Sequence, residues 1–318
     1  MTRVLVFGHG AVGRAVTARL AARGDSVSVA QRRPPAALRA GVRFIACDLT
    51  EQAQTLAACA GQEVVICAAG FPYDSRIWAR AWPAAMSAML AGCEHAGARF
   101  VFADNLYMHG PQTGADPAPL REDMALGDFG RKPRIRAQIT RLWQAAHDAG
   151  RVRAVAVRAA DFYGPDVQNS LLSTLGVARL VAGRTAMVLG NADLPHDVTY
   201  VPDFARAVVA LADAPDDAYG QAWNVPNAPT QTPRALLALA ARLAGVRLRL
   251  QVVPSWLFPL LGLIRRDAYE LAEMRFQIDR PYRVDSSKFR ASFGMEPTAF
   301  EEGLGATVDF YRQQAIPG

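Results

Sequence analysis

An α/β fold, a doubly wound parallel sheet with a smaller, mostly helical C-terminal lobe, is what this sequence predicts. Three observations predict it. Short apolar runs alternate with longer segments of helical period as far as about residue 165. The fifth run leads into Ala103-Asp-Asn-Leu-Tyr-Met-His-Gly-Pro111 and the sixth into Arg158-Ala-Ala-Asp-Phe-Tyr-Gly-Pro165, carboxyl ends of the kind at which an open parallel sheet binds ligands. Beyond Pro165 the alternation loosens and helical segments dominate. A chain of 318 residues with 51% hydrophobic content can bury a large core in either one domain or two lobes.

The elements follow in order. Residues 3–7, Arg-Val-Leu-Val-Phe, read as a buried strand. Gly8-His9-Gly10-Ala11-Val12-Gly13 turns the chain into a helix that reaches Arg23-Gly24, and residues 27–30 return as a second strand. Residues 42–46 form a third strand with Asp48 just past it, 50–60 a helix, and 63–68 a fourth strand ending in Ala68-Ala69-Gly70. Residues 77–96 are a long helix in which Pro83 predicts a break or kink. Residues 99–102 form a fifth strand, a Pro-, Gly- and Asp-rich loop runs to about residue 130, and a helix (135–149) leads to a sixth strand (152–157). Further on, 170–182 reads as a helix, Asp203 as the cap of the helix after it, 221–225 as a strand, Thr232-Pro233 as a helix start, 248–253 as a short strand and 255–278 as helical. The boundaries predicted are residues 1–165 for the nucleotide-binding domain, with 196–226 returning to it, and 166–195 with 227–318 for the substrate lobe.

The strand–glycine turn–helix–strand unit at the N-terminus predicts a dinucleotide site. Gly8 permits the tight turn, Gly10 lets the backbone approach a pyrophosphate, and Gly13 lets helix and strand pack closely, while the helix N-terminus attracts the phosphates. A carboxylate at the end of the second strand would take a ribose 2′-hydroxyl. Here that end carries Gln31-Arg32-Arg33, which suits a 2′-phosphate, so NADP(H) is expected in preference to NAD(H). The plainer alternatives are a loop that merely turns and a solvated basic segment.

Composition limits the rest. The formal net charge is +6, but the arginines are scattered and no aromatic-basic stripe appears, so nucleic acid is not the expected partner. No apolar run is long enough to span a membrane, and the N-terminus reads as a strand rather than a leader, which makes the cytoplasm the expected compartment. Cys47, Cys59, Cys67 and Cys93 include no Cys-x-x-Cys pair and read as reduced, buried thiols without metal. Lysine occurs only at Lys132 and Lys288.

The chain as a whole resembles the extended short-chain dehydrogenases/reductases of the NAD-dependent epimerase/dehydratase group. The residues that carry the resemblance run from end to end: the glycine turn, Cys47-Asp48-Leu49, Ala68-Ala69-Gly70, Ala91-Gly-Cys-Glu-His-Ala-Gly97, Asn105 to Pro111, Arg158 to Pro165, Tyr200-Val-Pro-Asp203 and Asp285-Ser-Ser-Lys-Phe289. The resemblance implies a Rossmann-type fold. It places Asp48 at adenine with Leu49 following, Ala68, Ala69 and Gly70 against ribose and pyrophosphate, and Ala159 and Ala160 beside the nicotinamide. Asp48 also reads as the cap of the helix after it. The resemblance further implies a homodimer formed through a two-helix face, here 77–96 and 135–149.

Two departures stand out. The glycine turn is one residue shorter than the family's Gly-x-x-Gly-x-x-Gly. The family's serine or threonine falls on Asn105, and its Tyr-x-x-x-Lys pair falls on Lys132 and Arg136, so the acid-base tyrosine is missing. Asn105 can polarise a carbonyl through its amide. Arg136 can bind ribose hydroxyls but cannot pass protons. Lys132, one helical turn from Arg136, is a candidate general acid or base, although a phosphate-neutralising or solvent-facing lysine reads equally well. Tyr107 is the candidate replacement phenol or a packing ring. Tyr163 and His196 are outer candidates for contacting substrate, and His109 is a weaker one. The leading expectation is an NADP(H)-dependent oxidoreductase or epimerase-like enzyme acting on a small carbonyl or hydroxyl compound. The alternatives are a cofactor-binding sensor without turnover and a nucleotide-sugar epimerase or dehydratase.

Overall fold

The computed structural model describes residues 1–315; positions 316–318 of the expected C-terminal lobe lie outside the described residues. The chain divides into two compact units, Met1–Gly110 with Glu122–Arg158 and Phe204–Trp223, and Pro111–Arg121 with Ala159–Asp203 and the chain from Asn224 onward.

The first unit opens β1 (Arg3–Phe7), α1 (Ala11–Ala22), β2 (Ser26–Gln31), β3 (Arg43–Ala46), α2 (Gln52–Cys59) and β4 (Val64–Cys67). It continues α3 (Ser75–Ala96), β5 (Arg99–Asp104), α4 (Lys132–Asp148) and β6 (Ala154–Arg158). The next elements are β7 (Asp161–Tyr163), α5 (Ala178–Val181), β8 (Ala186–Leu189), β9 (Val198–Tyr200), α6 (Val201–Ala212) and β10 (Ala222–Asn224). The chain ends in α7 (Pro233–Leu243), β11 (Leu250–Val253), α8 (Leu257–Leu261), α9 (Arg266–Glu273), α10 (Ser287–Phe293) and α11 (Phe300–Ala315).

The seven-stranded sheet has the order β10-β6-β5-β4-β1-β2-β3. Its parallel registers follow one another across the centre: Val4 lies beside Val27 and Val64, Val64 beside Arg99, and Phe100 beside Ala154. This is the doubly wound parallel sheet expected. β1 is apolar from Val4 to Phe7 because both of its faces are covered. The strand order reverses between β1 and β4, and ligands of such sheets bind outside the carboxyl ends at that point. Phe100, Phe102, Trp82, Met86, Met89 and Trp143 pack the core beside it.

Several local expectations change. Pro83 does not interrupt α3, which runs from Ser75 to Ala96 behind an Asp74 cap. Proline withholds one bond from Ala79, and the buried row Trp78, Trp82, Met86 and Met89 outweighs that loss. α4 begins three residues before the expected start, with Pro133 in its first turn, so Lys132 becomes a helical residue. The helix expected over 170–182 starts as a wider π turn, Leu171–Val177, capped by Ser170, whose hydroxyl accepts from Ser173 N at 2.9 Å. Asp203 does not cap the helix; it lies inside the first turn of α6 and accepts from both N and Oγ1 of Thr298, each at 2.7 Å. Thr232 does cap α7, accepting from Ala235 N at 3.2 Å.

The second unit has its own core, in which Leu172, Val177, Leu236, Leu237, Leu304 and Val308 pack together. Two small parallel pairs, β8 with β11 and β7 with β9, supply its strands. Among the described residues, no helix is long and apolar enough to cross a membrane.

Candidate active site

In the first unit, the glycine turn sits at the switch point of the sheet. Gly8 has φ +87° and receives β4 so closely that a Cβ there would lie 2.6 Å from Ala69 Cα. A Cβ on Gly13 would overlap the Gly8 carbonyl. Gly10 is different: a Cβ built on it meets no atom within 4 Å, and the same holds for Gly70. Gly10 stands at the head of α1, which has no side-chain cap and no acidic residue in its first turn. An open cradle of backbone amides at a helix N-terminus fits a pyrophosphate. Ala11 and Val12 follow in its first turn, and the His9 imidazole before it is held below its ordinary pKa by burial and then by Arg14.

Gln31 ends β2 and locks this turn to the loop that follows. Its Oε1 accepts from His9 N at 3.0 Å, and its Nε2 donates to Arg33 O at 2.8 Å. A carboxylate at this place could accept from His9 but could not donate to Arg33. Arg32 and Arg33 are exposed beyond it. Asp48 accepts from Thr50 N at 3.0 Å and Thr50 Oγ1 at 2.7 Å, and these bonds, with the Arg32 charge behind them, hold its carboxyl below the usual range. That is a turn around Thr50 rather than a helix cap, since α2 begins only at Gln52, after Glu51. Leu49 beside it is buried.

Past β5, Asn105 Oδ1 accepts from Tyr107 N at 3.0 Å, which leaves the amide nitrogen as the donor end of the side chain. Tyr107 stacks on Trp78, with ring centroids 6.3 Å apart, and packs against the core. Trp78 in turn meets Tyr73 edge-on at 5.6 Å, and the Lys132 ammonium stands 4.4 Å from the centre of the Tyr73 ring. Lys132 has no exposed surface, so the solvent-facing alternative for it does not hold. Its charge is buried against an aromatic face.

Arg136, one turn along α4, is buried among Trp82, Phe102 and Trp78, 4.5, 5.1 and 5.7 Å from their ring centres. Its Nη2 donates to Asp104 Oδ1 at 2.5 Å, while its Nε and Nη1 have no hydrogen-bond partner among the described residues. Asp104 also lies 3.6 Å from Arg158 Nε, and Arg158 Nη1 is 3.3 Å from His109 Nε2. His109 Nδ1 donates to Ala125 O at 3.3 Å, so the ring is neutral with its proton on Nδ1. Asp104 and Arg158 escaped the sequence reading. The available signal was an acid and an arginine at the carboxyl ends of two apolar strands, which the β5–β6 register pairs directly.

Burial, followed by the Arg158 charge, drives the His109 pKa from 6.5 down to about 4. The unfolded chain therefore binds this proton more readily than the folded one between those values. The neutral ring contributes stability above pH 6.5, and that contribution is lost as pH falls towards 4, amounting to about 3 kcal/mol. Replacing His109 by glutamine should make the urea-derived stability fall less steeply over this window. An identical slope for both proteins would show that His109 is not held neutral.

In the second unit, Ala159 and Ala160 are buried, and Ala160 N donates to Thr199 Oγ1 at 3.1 Å. Tyr163 is also buried, packed on Tyr200 and Phe300 with Gly303 against its phenol, and burial raises its pKa. The His196 ring pairs with Asp161 at 2.9 Å at the wall of a cleft in this unit, and Tyr163 is not among the residues that line that cleft.

A model of the NAD dependent epimerase/dehydratase family matches residues 4–225. The chain belongs to that family. No curated protein matches this member significantly. Its fold is similar to that of a dTDP-glucose 4,6-dehydratase from Bacillus anthracis in complex with NAD (15% identity, 99% of this chain and 98% of that one, TM-score 0.81). It is also similar to the UDP-glucose 4-epimerase of Thermus thermophilus in complex with NAD (18%, 99% and 100%, TM-score 0.79). The UDP-glucose 4-epimerase of Thermotoga maritima with UDP-glucose gives the same TM-score, 0.79, at 19% identity over 98% and 99% of the two chains. The glycine turn, β2 terminus and α4 pair of this family member thus stand on the family's fold with the side chains described above.

Proposed function

We propose that this chain is an NADP(H)-dependent oxidoreductase or epimerase-like enzyme acting on a small carbonyl or hydroxyl compound. The observation that carries the reading is the end of β2. There Gln31, held by His9 N and Arg33 O, ends the strand where a carboxylate would take a ribose 2′-hydroxyl, and two exposed guanidinium groups follow. The amides at the head of α1 would hold the pyrophosphate, and Arg32 and Arg33 the 2′-phosphate. Asp48 and Leu49 would meet adenine, Ala68, Ala69 and Gly70 the ribose and pyrophosphate, and Ala159 and Ala160 the nicotinamide. When bound, that ring supplies or accepts hydride.

The chain's own residues divide the remaining tasks. The Asn105 amide donates to a substrate oxygen. Lys132, desolvated beside Tyr73, carries the proton, with the Tyr107 phenol as the alternative donor. Arg136 keeps its charge and is turned towards Asp104, so it serves as a fixed cation and not as a proton carrier.

A second reading, a nucleotide-sugar epimerase or dehydratase, draws support from the solved structures that share the fold. The test is to follow NADPH absorbance against a panel of aldehydes and ketones and, because epimerisation and dehydration leave the coenzyme unchanged overall, to separate the products of UDP- and dTDP-sugars by chromatography. Turnover with simple carbonyls is expected. NADPH binding with neither oxidation by the carbonyls nor conversion of the sugars would make the protein a sensor, and conversion of the sugars alone would establish the second reading. Lys132→Met should abolish turnover in this assay while leaving NADPH affinity within about threefold. An unchanged kcat would remove Lys132 from the chemistry and leave Tyr107→Phe as the next variant.

A further inference from the structure

We infer that the cleft of the second unit binds a compound with a compact apolar body and a single hydroxyl or carbonyl oxygen, held by His196 under the orientation of Asp161. The walls come from four segments: Leu171 on the π turn, Met187 and Val188 on β8, Leu236 and Leu237 on α7, and Ile278. Among the described residues its polar lining is Asp161, Asn191 and His196, with no lysine or arginine. A nucleotide diphosphate would bring at least two negative charges to a wall that carries a carboxylate and no cation. Such a ligand is disfavoured here, whereas an apolar body replaces water along most of the surface.

The dyad is held in place. Asp161 lies on β7, which pairs in parallel with β9, with Asp161 opposite Val198. His196 N donates to Gln231 O at 2.9 Å, and the imidazole leans on Tyr282, with ring centroids 5.1 Å apart. The Asp161 carboxylate accepts from His196 Nε2 at 2.9 Å. That fixes the proton on Nε2 and leaves Nδ1 as an acceptor, which a substrate hydroxyl can use directly and a carbonyl can use once the ring is protonated. His196 is thus the contacting residue and Asp161 the positioning residue.

Binding in this cleft does not depend on the function proposed above. The experiment uses the full chain and titrates 1-phenylethanol, cyclohexanol and 2-octanone by calorimetry, with UDP and UDP-glucose as contrasts and NADPH titrated separately. At least one of the three apolar probes should bind and neither uridine nucleotide should displace it. Val188→Phe fills the cleft and should abolish probe binding with NADPH affinity unchanged; Met187→Phe, at a less buried place on the same strand, repeats the test if the first variant folds poorly. His196→Ala should weaken the probe about three- to tenfold. Asp161→Ala should do the same, and Asp161→Asn, whose amide oxygen still accepts from Nε2, should restore most of the affinity. Failure of all three probes up to their solubility, competition by UDP-glucose, or unchanged binding in both filled variants would overturn the inference. NADPH titration separates the two readings, because its failure would count against the cofactor assignment alone.

Discussion

Replacing Asp104 by alanine is expected to destabilise the protein by about 3–5 kcal/mol, the cost of leaving buried charge without its partner. The carboxylate has no exposed surface and serves two guanidinium groups that are themselves 3% and 1% exposed. It accepts from Arg136 at 2.5 Å, lies 3.6 Å from Arg158, and also receives Asn105 N at 2.8 Å. Without it, two cations remain in an interior of aromatic rings and apolar strands, where desolvation is most costly. Asp104→Asn keeps an acceptor for Arg136 and the amide but removes the charge, so it should fall between the alanine variant and the native protein. Urea unfolding of the three proteins measures the series. A loss below about 1 kcal/mol for the alanine variant, the size of an exposed ion pair, would mean that the cluster is solvated.

Replacing Arg32 and Arg33 together by alanine should weaken NADPH binding about a hundredfold or more, since each charge-assisted contact with a phosphate contributes about 1.5–3 kcal/mol. NADH binding should change by no more than about threefold, because only the phosphorylated ribose needs both cations. Calorimetry with both coenzymes reads the ratio directly. Equal losses for the two would take the 2′-phosphate out of the assignment. Gln31→Glu makes the converse test: the new carboxylate cannot donate to Arg33 O and repels a phosphate, so the preference should move towards NADH.

Local chemistry accounts for the parts of the fold that were readable beforehand. The unit from Arg3 to Gln31 was legible because each of its signals acts within a few residues: an apolar run, a glycine with φ +87° and a helical period. Thr232-Pro233 starts α7 for the same reason, through a bond three residues long. Where the reading departed from the structure, a distant group had intervened. Asp203 is drawn from its expected capping role to Thr298, 95 residues away in the chain. Pro83 lies in an unbroken helix because the aromatic and methionine row beneath it is buried by other elements. Lys132 was legible as a residue of interest but not as a buried one, since the Tyr73 ring over it belongs to another loop.

By itself, then, the amino-acid order determined the parallel sheet, the glycine turn at its switch point and the basic terminus of β2, all of which follow from backbone preference and periodicity at short range. Tertiary structure alone decided the buried Asp104–Arg136–Arg158 cluster and the Asp161–His196 pair. Those charges meet through strand register and loop closure over 32 to 54 residues, where their interaction depends on how much water the surrounding core excludes, a property no local run of sequence contains.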